Sequence, residues 1–176
     1  MTTNTNTNTL LNDVDLEAVA GLAEAVRTDP TVGATTWRAS VTWTGAFRSE
    51  ARVRGFDPIR SDEPAALGGT DSAPNPVEQL LAALGNCLAV GYAANASARG
   101  IELTDLRVNV SGTLDLHTFL GLREGHAGFD DIRVDVHLAS DADPQQLADL
   151  HQHVTSTSPV GHTLGAAVPV EVRLDF

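Results

Sequence analysis

The sequence predicts an α+β domain with mainly antiparallel strand pairing around one long, buried helix. Three observations carry this reading. Apolar residues recur at helical spacing in three segments, they alternate with a period of two in the segments between, and the central helical segment is apolar nearly all round.

The chain opens on an alternation of threonine and asparagine, Thr2 to Thr9, with no apolar face to bury, so residues 1–12 are expected to form a disordered tail. Val14, Leu16, Val19, Leu22 and Val26 follow at helical spacing, with Asp13 available as a cap, up to Asp29-Pro30. Residues 13–30 therefore read as a helical extension, and residues 35–176 as the domain proper. From Thr35 the period is two: Trp37, Ala39, Val41 and Trp43 share a face, and a turn at Gly45 leads into Phe47 to Gly55, which completes a hairpin. Arg48, Arg52 and Arg54 fall on one side of its second strand, where they face solvent or line an electropositive edge. The polar segment SDEPAALGGTDSAPNP then breaks the pattern; so long an irregular stretch in a small domain is either functional or mobile.

After Pro76 the run VEQLLAALGNCLAVGYAANASAR predicts the central helix, with Pro76 at a permitted first-turn position and Gly100 as its stop. Its all-round apolarity predicts burial on most sides. Leu106, Val108 and Val110, and then Ile132, Val134, Val136 and Leu138, alternate with polar residues and predict two strands with one wet face each. Asp143-Pro144 opens another helix through about Thr155, and Val168, Val170, Val172 and Leu174 predict a closing strand.

Composition limits the function classes. The 11 cations are all arginine, against 23 acids, for a net charge of -12. Both nucleic acid and an anionic bilayer would repel such a chain, and lysine Schiff-base chemistry is ruled out. A single cysteine, Cys87, excludes an intrachain disulfide and suits a reducing cytoplasm. The amino terminus lacks the basic start and long apolar core of a signal peptide, so a soluble cytoplasmic protein is expected. No metal is expected, because His151 and His153 point to nearly opposite sides of a helix, and His117, His126 and His162 have no carboxylate at ligand spacing. No phosphate loop, GxSxG elbow or dinucleotide fingerprint occurs, and no cofactor is expected.

Two residues of the central helix are candidates for chemistry. Cys87 lies mid-helix between Leu84 and Leu88, where a lone cysteine usually fills core. Glu78 stands in the first turn, where a carboxylate favours the positive end of the helix dipole. On a straight helix the two are about 13.5 Å apart along the axis and roughly half a turn around it. A site using both needs a second copy of the helix, and hence a homodimer.

The stretch PNPVEQLLAALGNC, with a cysteine eleven positions after the second proline, resembles the OsmC/Ohr family of osmotically inducible and organic hydroperoxide resistance proteins. TSPVGHTLGAAVPVEV is similar to that family's second signature, and the GGTDSAPNP approach and RGIEL exit extend the resemblance over about Trp37 to Phe176. The resemblance implies an intertwined α+β homodimer with active sites at the subunit interface. It also implies a helix cysteine that attacks organic hydroperoxides, held by an arginine and a glutamate and resolved by a second cysteine. Cys87 matches the attacking position and Ser158 stands where the second cysteine would be, so turnover calls for an external thiol. Val77 follows Pro76 where peroxidase members carry the glutamate, and Glu78 comes one place later. Arg60 is the nearest arginine in the approach loop, with Arg54 and Arg52 as rivals. Two functions remain open: a thiol-dependent peroxidase using Cys87, Glu78 and Arg60, or a non-catalytic protein holding a small apolar ligand at the dimer interface.

Overall fold

In the computed structural model, which describes residues 10–166 and 168–175, the recurrence from Leu16 to Val26 forms helix α1 (Leu16–Thr28). None of its residues is buried. The Thr2–Thr9 run lies outside the described residues. Leu11 and Asn12, grouped with that tail in the sequence, are docked, the Leu11 carbonyl accepting from Ser97 Oγ at 3.0 Å. The Asn12 amide donates to Ser97 Oγ at 2.9 Å and to the Ile101 carbonyl at 3.0 Å, and its oxygen accepts from Leu103 N at 2.8 Å. Replacing Asn12 with alanine is expected to cost about 2 kcal/mol, because the Ile101 carbonyl and the Leu103 N–H lose the partner that holds them, while Ser97 Oγ keeps its bonds to the Leu11 and Ala93 carbonyls. Removing residues 1–10 is expected to leave the melting temperature nearly unchanged. Thermal denaturation of both variants checks the contrast.

Backbone proximity divides the chain into two compact units, Glu17–Ala82 and a second built from Met1–Leu16 with Ala83–Phe176. The first holds a three-stranded antiparallel sheet of β1 (Ser40–Gly45), β2 (Arg48–Arg52) and β3 (Ile59–Ser61), in that order. The turn between β1 and β2 takes φ of 110° at Gly45, a left-handed conformation that favours glycine. Val41 pairs with Ala51 and Ala51 with Ile59, so one face is apolar; Thr42, Glu50 and Arg60 line up across the other. The apolar face is open, with Trp43 72% exposed. The three arginines expected on one side of the second strand do not stay together. Arg52 ends β2, while Arg54 takes a left-handed φ of 52° in the following turn and lies over the Phe56 ring at 4.7 Å.

Helix α2 (Pro76–Ala98) begins in the first unit and ends in the second. By length and composition it would suffice to cross a bilayer. Here Leu84, Leu88, Tyr92 and Ala96, spaced by four, form one stripe that joins Ile101, Leu150 and Val154 in the core. Strands β4 (Asp105–Leu114) and β5 (Phe129–Ala139) add Val108, Val110, Val134 and Val136 to that core, paired Val108 with Val136 and Val110 with Val134. Between them sits the short helix α3 (Leu116–Phe119). Helix α4 (Pro144–Thr157) starts on a capping box between Asp143 and Gln146 and brings Leu150 and Val154 against α2. A Cβ at Gly91 would lie 2.9 Å from Val154 Cγ1, so a glycine is what lets α4 approach this closely. Helix α5 (Pro159–Gly165) follows directly.

Two expectations fail for one shared reason. The central helix is buried along one face instead of most sides, and Val90 is 69% exposed. The alternating Val168, Val170, Val172 and Leu174 form no strand; all four are exposed, Val172 by 89%. An apolar face or an alternating segment takes up its structure only against a neighbour, and among the described residues both stay largely exposed.

Candidate functional site

Cys87 meets the residue that the family resemblance pairs with it. The Cys87 Sγ lies 3.3 Å from Ser158 Oγ, across 71 positions of chain. Pro159 disfavours the helical region for the residue before it, so Ser158 leaves α4 with φ -68° and ψ 114°. From there its hydroxyl caps α5, accepting from Gly161 N at 3.1 Å, and Ser158 is 5% exposed. Cys87 itself is half-buried.

Glu78 has a structural partner of its own. Its carboxylate accepts from Asn75 N at 2.8 Å while Asn75 Oδ1 accepts from Glu78 N at 2.9 Å, a capping box at the start of α2. Arg60, 77% exposed, pairs with Glu50 at 3.5 Å, and Arg52 lies 4.0 Å from the same carboxylate. The Arg60 carbonyl accepts from Gln79 Nε2. Arg60 and Glu78 thus belong to the unit Glu17–Ala82 and Cys87 to the other, so within their own units Cys87 is brought to Ser158, Arg60 to Glu50 and Glu78 to Asn75.

A residue the sequence did not single out organises the approach to α2. Asp62 is 1% exposed, and its carboxylate accepts from the backbone N–H of Glu63, Thr70 and Ser72 and from both hydroxyls of Thr70 and Ser72, at 2.5 to 3.1 Å. The Thr70 hydroxyl, then the donors of Ser72 and Glu63, hold the carboxyl well below the usual carboxylate range, against the opposing effect of burial. Glu63 reinforces the closure by accepting from Asn75 Nδ2. The irregular segment is therefore a closed loop built on one buried charge, and it walls a cleft of about 560 Å³ lined by Asp57, Arg60, Ser72, Pro74 and Gln79. The one signal in the sequence is the Asp followed eight and ten residues later by Thr and Ser.

In the second unit Tyr92, buried on α2, hydrogen-bonds His151 Nδ1, and burial pushes the phenol up from its ordinary value. Among the described residues no cluster of three metal-ligating side chains occurs.

Residues 69–173 match the family model for OsmC-like proteins, more than half of the chain. Among solved structures, an OsmC-like protein from Mycoplasma pneumoniae superposes with a TM-score of 0.65 at 20% identity, covering 74% of this chain and 88% of that one. An organic hydroperoxide resistance protein OsmC from Legionella pneumophila gives 0.54 at 18% identity, covering 74% and 91%. An organic hydroperoxide resistance protein from Elizabethkingia anophelis gives 0.53 at 18%, covering 73% and 88%. No curated protein matches by sequence. At these identities the structures speak for the fold, and the family rests on the match of the chain itself: the protein belongs to the OsmC-like family.

Proposed function

We propose that the protein reduces small organic hydroperoxides through Cys87, as a cytoplasmic homodimer that takes its electrons from an external thiol. The observation that carries this is the 3.3 Å approach of Cys87 to Ser158, which joins the two signature segments at one point. In this reading the Cys87 thiolate attacks the terminal oxygen of ROOH. The O–O bond breaks, RO⁻ leaves and picks up a proton as ROH, and Cys87 becomes a sulfenic acid. Serine cannot trap that species as a disulfide. An external thiol condenses with it to a mixed disulfide and water, and a second thiol releases Cys87 and an external disulfide.

Arg60 is the proposed cation and Glu78 the proposed carboxylate of the site. The helical separation of Glu78 from Cys87 assigns them, in this reading, to the second subunit. A dimer also provides cover for the open faces of Trp43, Val90 and Val172. Light scattering is expected to give a mass near twice 18.5 kDa; a stable monomer would remove the shared site.

One observation favours a second reading. Glu78 and Arg60 are already engaged with Asn75 and Glu50, as they would be in a non-catalytic protein holding an apolar ligand. Trapping separates the two: after one equivalent of cumene hydroperoxide, dimedone should add once to each chain, at Cys87. A chain left unlabelled supports the binding protein.

A further inference from the structure

We infer that Ser158 is a hydrogen-bond donor to the Cys87 sulfur, stabilising the thiolate from the position where the family's second cysteine would sit. The inference deepens the peroxidase reading and rests on it. It follows from how the Ser158 hydroxyl is occupied. A hydroxyl has one hydrogen to give and two lone pairs to accept with. One lone pair is taken by Gly161 N at 3.1 Å, which fixes Oγ at the start of α5. The residue is 5% exposed, so its hydrogen cannot simply be left to water, and among the described residues its only acceptor is Cys87 Sγ at 3.3 Å. The opposite polarity, with the thiol donating to Oγ, would leave the better donor of the two buried and unpaired.

The arrangement is held from both sides. A Cβ on Gly161 would lie 3.1 Å from Ser158 Oγ and 3.9 Å from Leu84 Cδ1, so the turn that carries the cap is packed against α2 one helical turn before Cys87. Pro159 sets the extended backbone of Ser158, and the bond from Gly161 N holds its Oγ in place. A charge-assisted hydrogen bond from a fixed donor favours the ionised sulfur. No proton is transferred; the hydroxyl holds charge on the atom that the proposed reaction uses.

Because Cys87 is the only cysteine, thiolate absorbance at 240 nm, with Cys87→Ser as the blank, reads this one sulfur in the full-length protein. Ser158→Gly is the informative variant, since glycine at a helix N-cap costs only a few tenths of a kcal/mol relative to serine. At the pH where half of the wild-type thiolate has formed, the ratio of thiolate to thiol in Ser158→Gly is expected to fall about tenfold, the size of a hydrogen bond to a charged group. Ser158→Ala should fall likewise, and Ser158→Thr, which keeps the hydroxyl, should recover most of the signal. An unchanged or increased ratio in either the glycine or the alanine variant overturns the inference. So does a threonine variant that stays as low as glycine, because the effect would then come from packing. The readout uses no hydroperoxide: a thiolate that depends on Ser158 but does not react with ROOH would sink the peroxidase reading alone, and the reverse result would sink the inference alone.

Discussion

Cys87→Ser is expected to abolish hydroperoxide consumption in the presence of an external dithiol, leaving the rate of the dithiol control. The chain has no other thiol to substitute for it, and an alcohol of ordinary acidity is not a nucleophile toward peroxide at neutral pH. The Oγ that replaces Sγ can still meet Ser158, so the mass by light scattering and the melting temperature should be those of the wild type. Ser158→Cys gives the complementary result. With two thiols in place of a pair now 3.3 Å apart, hydroperoxide should convert the variant into an intrachain disulfide, visible as a faster-migrating band on a non-reducing gel that reductant abolishes. Consumption of hydroperoxide by Cys87→Ser at the wild-type rate would place the chemistry elsewhere.

The second large effect falls on the loop before α2. Asp62→Asn removes the buried charge that receives five donors from Glu63, Thr70 and Ser72, and turns one of its acceptor oxygens into a donor facing donors. A fall in melting temperature of about 5–10 °C at pH 7 is expected, in the range of disrupted buried networks. The pH dependence has a definite sign. The folded-state carboxyl is held below its ordinary value, so its contribution is complete above the unfolded value of about 4 and is lost as the pH falls through the folded one. The gap between wild type and Asp62→Asn should therefore be constant from pH 7 to about 5 and narrow below about 4. Thermal melts across pH 3–7 measure it, and a gap that widens in acid would show that Asp62 does not stabilise the loop as an anion.

The central helix, α4 and the β4–β5 pair were readable because each satisfies a period within its own residues: Leu84, Leu88 and Tyr92 by helical spacing, Val108 and Val136 by alternation. Asp143 and Pro144 announce α4 by chemistry that is local to its first turn. What could not be read depends on partners far along the chain. The segment from Val168 alternates like a strand, but a strand is a pairing, and alternation does not say with what. Asp62 looks like any loop acid until Thr70 and Ser72 close around it. Arg54 shares a period with Arg52, yet the turn at Gly55 takes it out of the strand. At the site, Cys87 was visible only as a core cysteine from its neighbours; its relation to Ser158, 71 residues on, came from the family resemblance alone. Glu78 was read both as a helix-start charge and as a site residue, and its bond to Asn75 N displays the first role directly.

The most direct test of the account is the rate at which hydroperoxide oxidises the one sulfur of this protein. In a stopped-flow experiment at neutral pH, wild-type protein is mixed with cumene hydroperoxide beside an equal concentration of free cysteine, and loss of reduced Cys87 is followed by quenching and thiol labelling. The account predicts oxidation of Cys87 at least a hundredfold faster than free cysteine, the scale that a positioned and activated group supplies. A rate no greater than that of free cysteine would contradict it.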